Sequence, residues 1–527
     1  MTTPQQPGPP PPSYGPYGTI NPYGGGPAGP AGAPPVPPPP HTAPPPPSPR
    51  GPRRARAVVA GAVAALLAVG AVTWYALGGT GDGGRADGKA SASPSVPPTA
   101  TGPTGPAGPT APDTAAAAAY NKDIAPGDAS VLWLRKNDID VTTLTGDVYG
   151  PWQFGDTVVT AMYRTVTAHS VADGTVKWRL TLDTEICRAS NDVSKDGKIV
   201  LARKERLHSD ADECRNLQAV DLRTGTSGWQ RKIVKEGNFD FMNDYSLAMS
   251  GDTVTAGRHQ YSTGYRLSDG KQLFGKWDKS PCQPYAYAGG PKLVAAVSCP
   301  TSDEKKPQEE IHEVDPVTGA SRWKYPLPIG YRVDHVLSVR PLIVSATDRA
   351  RGLHGIVVLN EDGTKRTSLK GDGWYEEGCT EDVAHQGNLQ RCQVVADGDT
   401  AYLATRPDAK TKTNEIAVFD LRTGEIVRRI PGLRNRMIRP LRMEGGSLIV
   451  RRAALLDEPG SLATVAPGTT RPVELLRLPR VTGRLESRFH ESRALYVNGR
   501  YILVRNVVAG SNDAEEMKRE TLLAFGT

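Results

Sequence analysis

The chain is short of everything a catalytic reading would need. It has no GxSxG, HExxH or Walker-type phosphate loop, which excludes serine hydrolases, zincins and P-loop enzymes recognisable by motif. Its six cysteines include no adjacent pair and no CxxC, and its nine histidines form no HxxxH, so structural zinc is not expected. The first 56 residues contain no Asp or Glu. Net charge is only +7 over 527 residues, a solubility charge that leaves no nucleic-acid footprint.

What is present is repetition. After residue 150 a hydrophobic strand runs eight times into a Gly turn and a second strand, most clearly in HSVADGTVKWRL (169–180), AVDLRTGTSGWQRKI (219–233), EVDPVTGASRWKYPL (313–327) and VFDLRTGEIVRRI (418–430). The turn glycines are Gly174, Gly225, Gly270, Gly319, Gly363, Gly424 and Gly468, with a degenerate eighth at Gly526. Each interval holds four short strands, the size of one propeller blade. A second Gly mark precedes most copies, as in FGDT (154–157), SGDT (250–253) and NGRY (498–501). Gly suits such hairpins because tight turns often need positive φ.

Strand counting closes the ring. The last unit ends at ETLLAFGT (520–527) without a fourth strand, while VLWLRK (131–136) stands alone ahead of the first unit. The expectation is an all-β, eight-bladed β-propeller, seven blades being the fallback, whose last blade takes its outer strand from residues 131–136. Closure of this kind leaves no free sheet edge at the seam. Trp178, Trp229 and Trp323 fall four residues past their Gly, and Trp133 occupies the matching place in the orphan strand. All four are expected to cover gaps between neighbouring blades, since one indole buries roughly 150–250 Å².

The D-L-R-T-G-x-x-x-W and D-P-V-T-G-x-x-x-W signatures resemble the repeats of the pyrroloquinoline-quinone (PQQ)-like β-propeller superfamily, over about residues 131–527. That superfamily includes quinoprotein alcohol dehydrogenases and the outer-membrane-assembly lipoprotein BamB. The resemblance implies the fold and a scaffold role; one fold hosts many activities. It does not extend to the quinone site, because the adjacent-cysteine disulfide and the calcium-binding Glu, Asn and Asp of those dehydrogenases have no counterparts placed by motif. No cofactor is expected.

Residues 1–56 are a Pro- and Gly-rich segment that cannot bury enough surface to fold, and are expected to be a disordered cytoplasmic tail. Residues 57–77, AVVAGAVAALLAVGAVTWYAL, carry no charge; as a helix they would span roughly 31 Å, a bilayer core. Arg50, Arg53, Arg54 and Arg56 flank only the N-terminal side, so the expected topology is single-pass in the plasma membrane with the propeller outside. Residues 78–130 read as a flexible stalk.

All six cysteines lie in the propeller. Six cysteines allow fifteen pairings, but the repeat map puts Cys187 with Cys214, Cys282 with Cys299, and Cys379 with Cys392 in loops on one face. Three local disulfides are therefore expected, each worth about 3 kcal/mol in the chain-entropy model. On the same face QPYAYAGG (283–290) brings Tyr285 and Tyr287, and GDGWYEEGCTED (371–382) brings Trp374 and Tyr375 with Asp372, Glu376, Glu377, Glu381 and Asp382. Tyr285, Tyr287, Trp374, Tyr375, Glu376 and Glu377 are the candidate partner contacts. The carboxylates could hold calcium, although their spacing follows no known ion-binding loop. The functional expectation is a membrane-tethered, non-enzymatic scaffold for a protein or cell-envelope polymer, ahead of a sensor signalling through the tail and of a PQQ-dependent dehydrogenase.

Overall fold

The computed structural model describes residues 111–527, apart from 143–144, 208–211, 239, 244, 278–279, 304–306, 349, 372–374, 377–388, 391, 434 and 490–492. Pro106–Thr527 form one compact unit. Residues 57–77 lie outside the described residues, and among the latter no helix is long and apolar enough to cross a membrane.

Eight antiparallel sheets succeed one another along the chain. The strands follow in the order A, B, C, D, as in Ile186–Ala189, Lys198–Lys204, Cys214–Asp221 and Thr226–Lys232 of blade two, and in blade one a further strand, Val507–Ala509, pairs on the free side of strand A, Thr145–Phe154. The strands alternate too little to show one wet face. Thr165–Ser170 and Ser246–Ser250 are buried at every position, because each sheet packs a neighbouring blade on both sides. The core is accordingly a series of inter-blade layers, such as Val294, Ala296 and Ile311 of blade four against Val336, Val344 and Val357 of blade five.

The eighth sheet has the order Ser130–Lys136, Glu520–Gly526, Arg500–Val504, Arg493–Val497. The N-terminal strand is thus strand D of the last blade, with Leu134 opposite Leu523 and Lys136 opposite Glu520. A charged latch reinforces the seam. Asp138 sits 3.2 Å from Arg135 of that strand and 2.6 Å from Arg179 of blade one.

The turn glycines have two reasons to be glycine. All seven from Gly174 to Gly468 adopt φ between +71° and +82°, a region costly for residues with a Cβ. Five are also floors for an aromatic ring. A Cβ on Gly174 would lie 2.6 Å from Trp133, on Gly225 2.5 Å from Trp178, on Gly270 2.6 Å from Trp229, and on Gly363 2.4 Å from Trp323. In each case strand D of one blade caps the turn of the next. Blade three has no Trp in this place, and Phe274 covers Gly319 instead. The indoles of Trp133, Trp178 and Trp229 donate to the carbonyls of Val171, Leu222 and Leu267 in the adjoining blade. At the turns of blades six and seven the aromatic cap is absent. At Gly424 the backbone carbonyl of Ser368 takes its place, and Gly468 has open space.

Blade six departs from the repeat. Its inner edge is split between Tyr375–Glu376 and Val395–Asp397, both paired with Thr400–Thr405. The stretch read as an acidic loop therefore contributes two residues to a strand.

Candidate functional site

In an A-to-D meander the D–A and B–C loops emerge at one end of the ring, and the A–B and C–D turns at the other. The disulfides belong to the first end. Cys187, in strand A of blade two, bonds Cys214 at the start of strand C, with Cα atoms 6.0 Å apart. Cys282, just ahead of strand A of blade four, bonds Cys299 at the end of strand B, with Cα atoms 4.1 Å apart. Cys392 is also disulfide-bonded; Cys379 lies outside the described residues.

The tyrosines behave differently from a contact platform. Tyr287 is 1% exposed and belongs to a core cluster with Leu293 and Val297. Tyr375 is also buried, its ring edge-on to Phe419 at 5.3 Å. These two are core residues, and the expectation that they meet a partner is corrected. They lie on the inner edges of their sheets, where the next blade covers side chains that a loop would expose. The Tyr285 hydroxyl donates to Glu309 Oε2 at 2.6 Å, and that oxygen also accepts from Val333 N at 3.1 Å. Burial raises both the Tyr285 and the Glu309 pKa. This bridge ties blade four to blade five. Glu376 pairs through its backbone with Ala404. Trp374 and Glu377 lie outside the described residues, as do Asp372, Glu381 and Asp382 of the calcium expectation.

The strand-C histidines are internal. Burial, then the neighbouring Arg135, lowers the pKa of His169 to about 3. His312 is lowered mainly by burial, and its Nε2 lies 2.8 Å from Glu310 Oε2. Both shifts favour the neutral imidazole. Among the described residues, the His, Cys, Asp and Glu atoms that converge within 4.8 Å are those of Cys282, Cys299 and Glu310. The two sulfurs are bonded to each other, which leaves one carboxylate as a ligand. That set does not fit the calcium and quinone of the dehydrogenases, and the two located disulfides span 27 and 17 residues, so neither is of the adjacent kind.

What the disulfide face does present is apolar side chain. Val234, Phe241, Ile329, Leu433, Leu455, Leu456, Val481 and Val507 all lie in its D–A or B–C connections, Val507 at the start of the short strand Val507–Ala509 within the last B–C connection. They are eight of the eleven exposed large hydrophobics among the described residues. Val317 is on the opposite face, and Val427 and Val473 are on outer strands. The loops that hold them are pinned from below. Arg258 and Asp240, both fully buried, pair at 2.8 Å beneath the loop of Phe241. Glu486 accepts from Thr482 Oγ1 at 2.6 Å and from Gly460 N at 2.9 Å, joining the loops of Leu455 and Val481. Burial pushes the Glu486 pKa up to about 7, against the opposing pull of Thr482, Gly460 and Arg436. No sequence motif marks these loops; the adjacent Leu455 and Leu456 ahead of DEPG are the one local hint.

Residues 120–280 match a family model described as outer membrane protein assembly factor BamB. No curated protein matches the chain. Among solved structures it is similar to BamB from Moraxella catarrhalis, at 12% identity and TM-score 0.38, covering 71% of this chain and 95% of that one. It is also similar to the quinohemoprotein alcohol dehydrogenase ADHIIG from Pseudomonas putida HK5, at 11% identity and TM-score 0.42, covering 72% and 75%.

Proposed function

Taking the chain to be a PQQ-like β-propeller repeat protein, we propose that it is a non-enzymatic scaffold, held outside the cell by residues 57–77, whose disulfide-braced face binds a protein. One observation carries this reading: among the described residues, eight of the eleven exposed large hydrophobics lie on that face and one, Val317, on the other. Loops on a rigid scaffold suit recognition, and an apolar cluster with a polar rim is the usual anatomy of a protein contact. Disulfides in this part of the chain are in keeping with an oxidising compartment.

The test uses a photo-crosslinking residue placed singly at Phe241, Ile329 or Val317 in the full chain, in the cells that make it. Phe241 and Ile329, 56% and 58% exposed on the disulfide face, should give a discrete protein adduct. Val317, 60% exposed on the opposite face, should not. Equal labelling from both faces, or none from either, refutes the assignment.

A further inference from the structure

The disulfide face is not uniform. Between blades seven and eight the loop carries a 3-10 turn, Arg480–Thr482, continued by the helix Gly483–Ser487. Thr482, Leu485, Glu486 and Phe489 point inward and are buried. Arg480, Val481, Arg484 and Arg488 form the exposed stripe. The neighbouring loop, held to this segment through Glu486 and Gly460, raises Leu455 and Leu456, 40% and 64% exposed. Acidic groups border the patch. Asp457 lies 3.5 Å from Arg484, Glu458 lies 3.6 Å from Arg436, and Glu520 lies 2.6 Å from Arg488.

The described chain also begins beside this patch. Asp113 N donates to Leu134 O, and Asp113 pairs with Lys136 at 2.7 Å, at the disulfide-face end of the closing strand. The helix Thr114–Tyr120 then runs back along that strand, and its Ala117 packs in one cluster with Leu485 and Phe489. The described residues therefore begin at the same face, next to the basic helix.

From this juxtaposition we propose that the patch formed by Leu455, Leu456, Val481, Arg480 and Arg484 rests on a lipid bilayer bearing anionic headgroups. The basic stripe beside apolar tips is the chemistry of an interfacial segment, in which leucines enter the headgroup boundary and arginines meet phosphates. Placement follows from the tether, so the proposal rests on residues 57–77 as the anchor. The stalk expected over residues 78–130 is corrected at its far end, where the helix Thr114–Tyr120 packs on the propeller; a flexible linker as long as the remaining 78–110 would have a root-mean-square span of roughly 30 Å. The face is thereby kept within reach of the membrane, and a weak surface affinity suffices for steady contact. The protein contact proposed above then falls to the sector of Phe241 and Ile329.

Because Pro106–Thr527 form one compact unit whose ring is closed by its own strand, that fragment can be tested alone. It is floated with vesicles of phosphatidylcholine, with or without one part in about three of phosphatidylglycerol. Binding is expected to the anionic vesicles and to fall with salt. Arg480→Gln and Arg484→Gln should each weaken it about fivefold. Leu455→Ser with Leu456→Ser should weaken it at least about tenfold, and Val481→Ser serves if that pair of changes lowers the melting temperature. Absence of binding to either vesicle, or binding that all these changes leave untouched, overturns the proposal. So does a dimer in sedimentation that Leu456→Ser dissolves. The tether is judged separately, by whether the full chain withstands alkaline extraction from membranes, so its failure is distinguishable from failure of the patch.

Discussion

Gly225 and Gly468 allow the two roles of the turn glycines to be separated. Both hold nearly the same backbone conformation, φ +72° and +77°. A Cβ at Gly468 meets nothing within 4 Å, whereas one at Gly225 lies 2.5 Å from two ring carbons of Trp178. Alanine at Gly468 should therefore cost only left-handed strain, about 1–2 kcal/mol. Alanine at Gly225 carries the same strain and must also drive the indole outward to ordinary contact. Overpacking of that kind costs about 1–3 kcal/mol. Losing the 3.2 Å bond from Trp178 to the Leu222 carbonyl adds about 1 kcal/mol. The total is about 3–6 kcal/mol. Any entropy that alanine removes from the unfolded chain acts on both variants and cancels in their difference. Urea unfolding of residues 106–527, followed by near-UV circular dichroism, gives both values. Equal losses at the two sites would refute the view that the indole rests on the turn and holds adjacent blades together.

Three further outcomes are expected. Trp133, wholly buried in the seam, should cost about 3–5 kcal/mol as Trp133→Ala; deleting residues 131–136, which also removes Val131 and Leu134 from the core, should abolish the cooperative melting transition, and an unchanged transition in calorimetry would mean the ring closes without them. Glu486, raised from 4.5 to about 7 chiefly by burial, favours its protonated form in the folded state, so its contribution is intact below about pH 4.5 and is lost as pH rises toward 7; relative to Glu486→Gln, wild-type stability should fall by about 3 kcal/mol across that window, and a pH-independent difference would show the carboxylate to be ionised in the fold.

Legibility followed the range of the interactions. The turn glycines, the blade period and the missing fourth strand are local or are matters of counting, and each could be read along the chain. Pairing Cys187 with Cys214 and Cys282 with Cys299 needed only the rule that the D–A and B–C loops share an end. Tyr287 and Tyr375 misled because their neighbours in sequence are loop-like, while their burial comes from the adjoining blade and from Phe419, 44 residues beyond Tyr375. Phe274 could stand in for a tryptophan because the turn of Gly319 requires a ring to cover it and is indifferent to which.

The amino-acid pattern by itself determined the repeat and the strand that closes the ring, and favoured eight blades over seven, since hairpin chemistry and strand supply are properties of short segments. Tertiary structure alone decided which side chains face solvent. Residues as distant as Leu433, Leu455 and Val481 reach one surface only after the ring has closed. Glu486 acquires its near-neutral pKa only when the fold buries it, a rise that the bond from Gly460 and the guanidinium of Arg436 oppose. Burial and electrostatic environment are set by what arrives from other blades, and no single repeat contains that information.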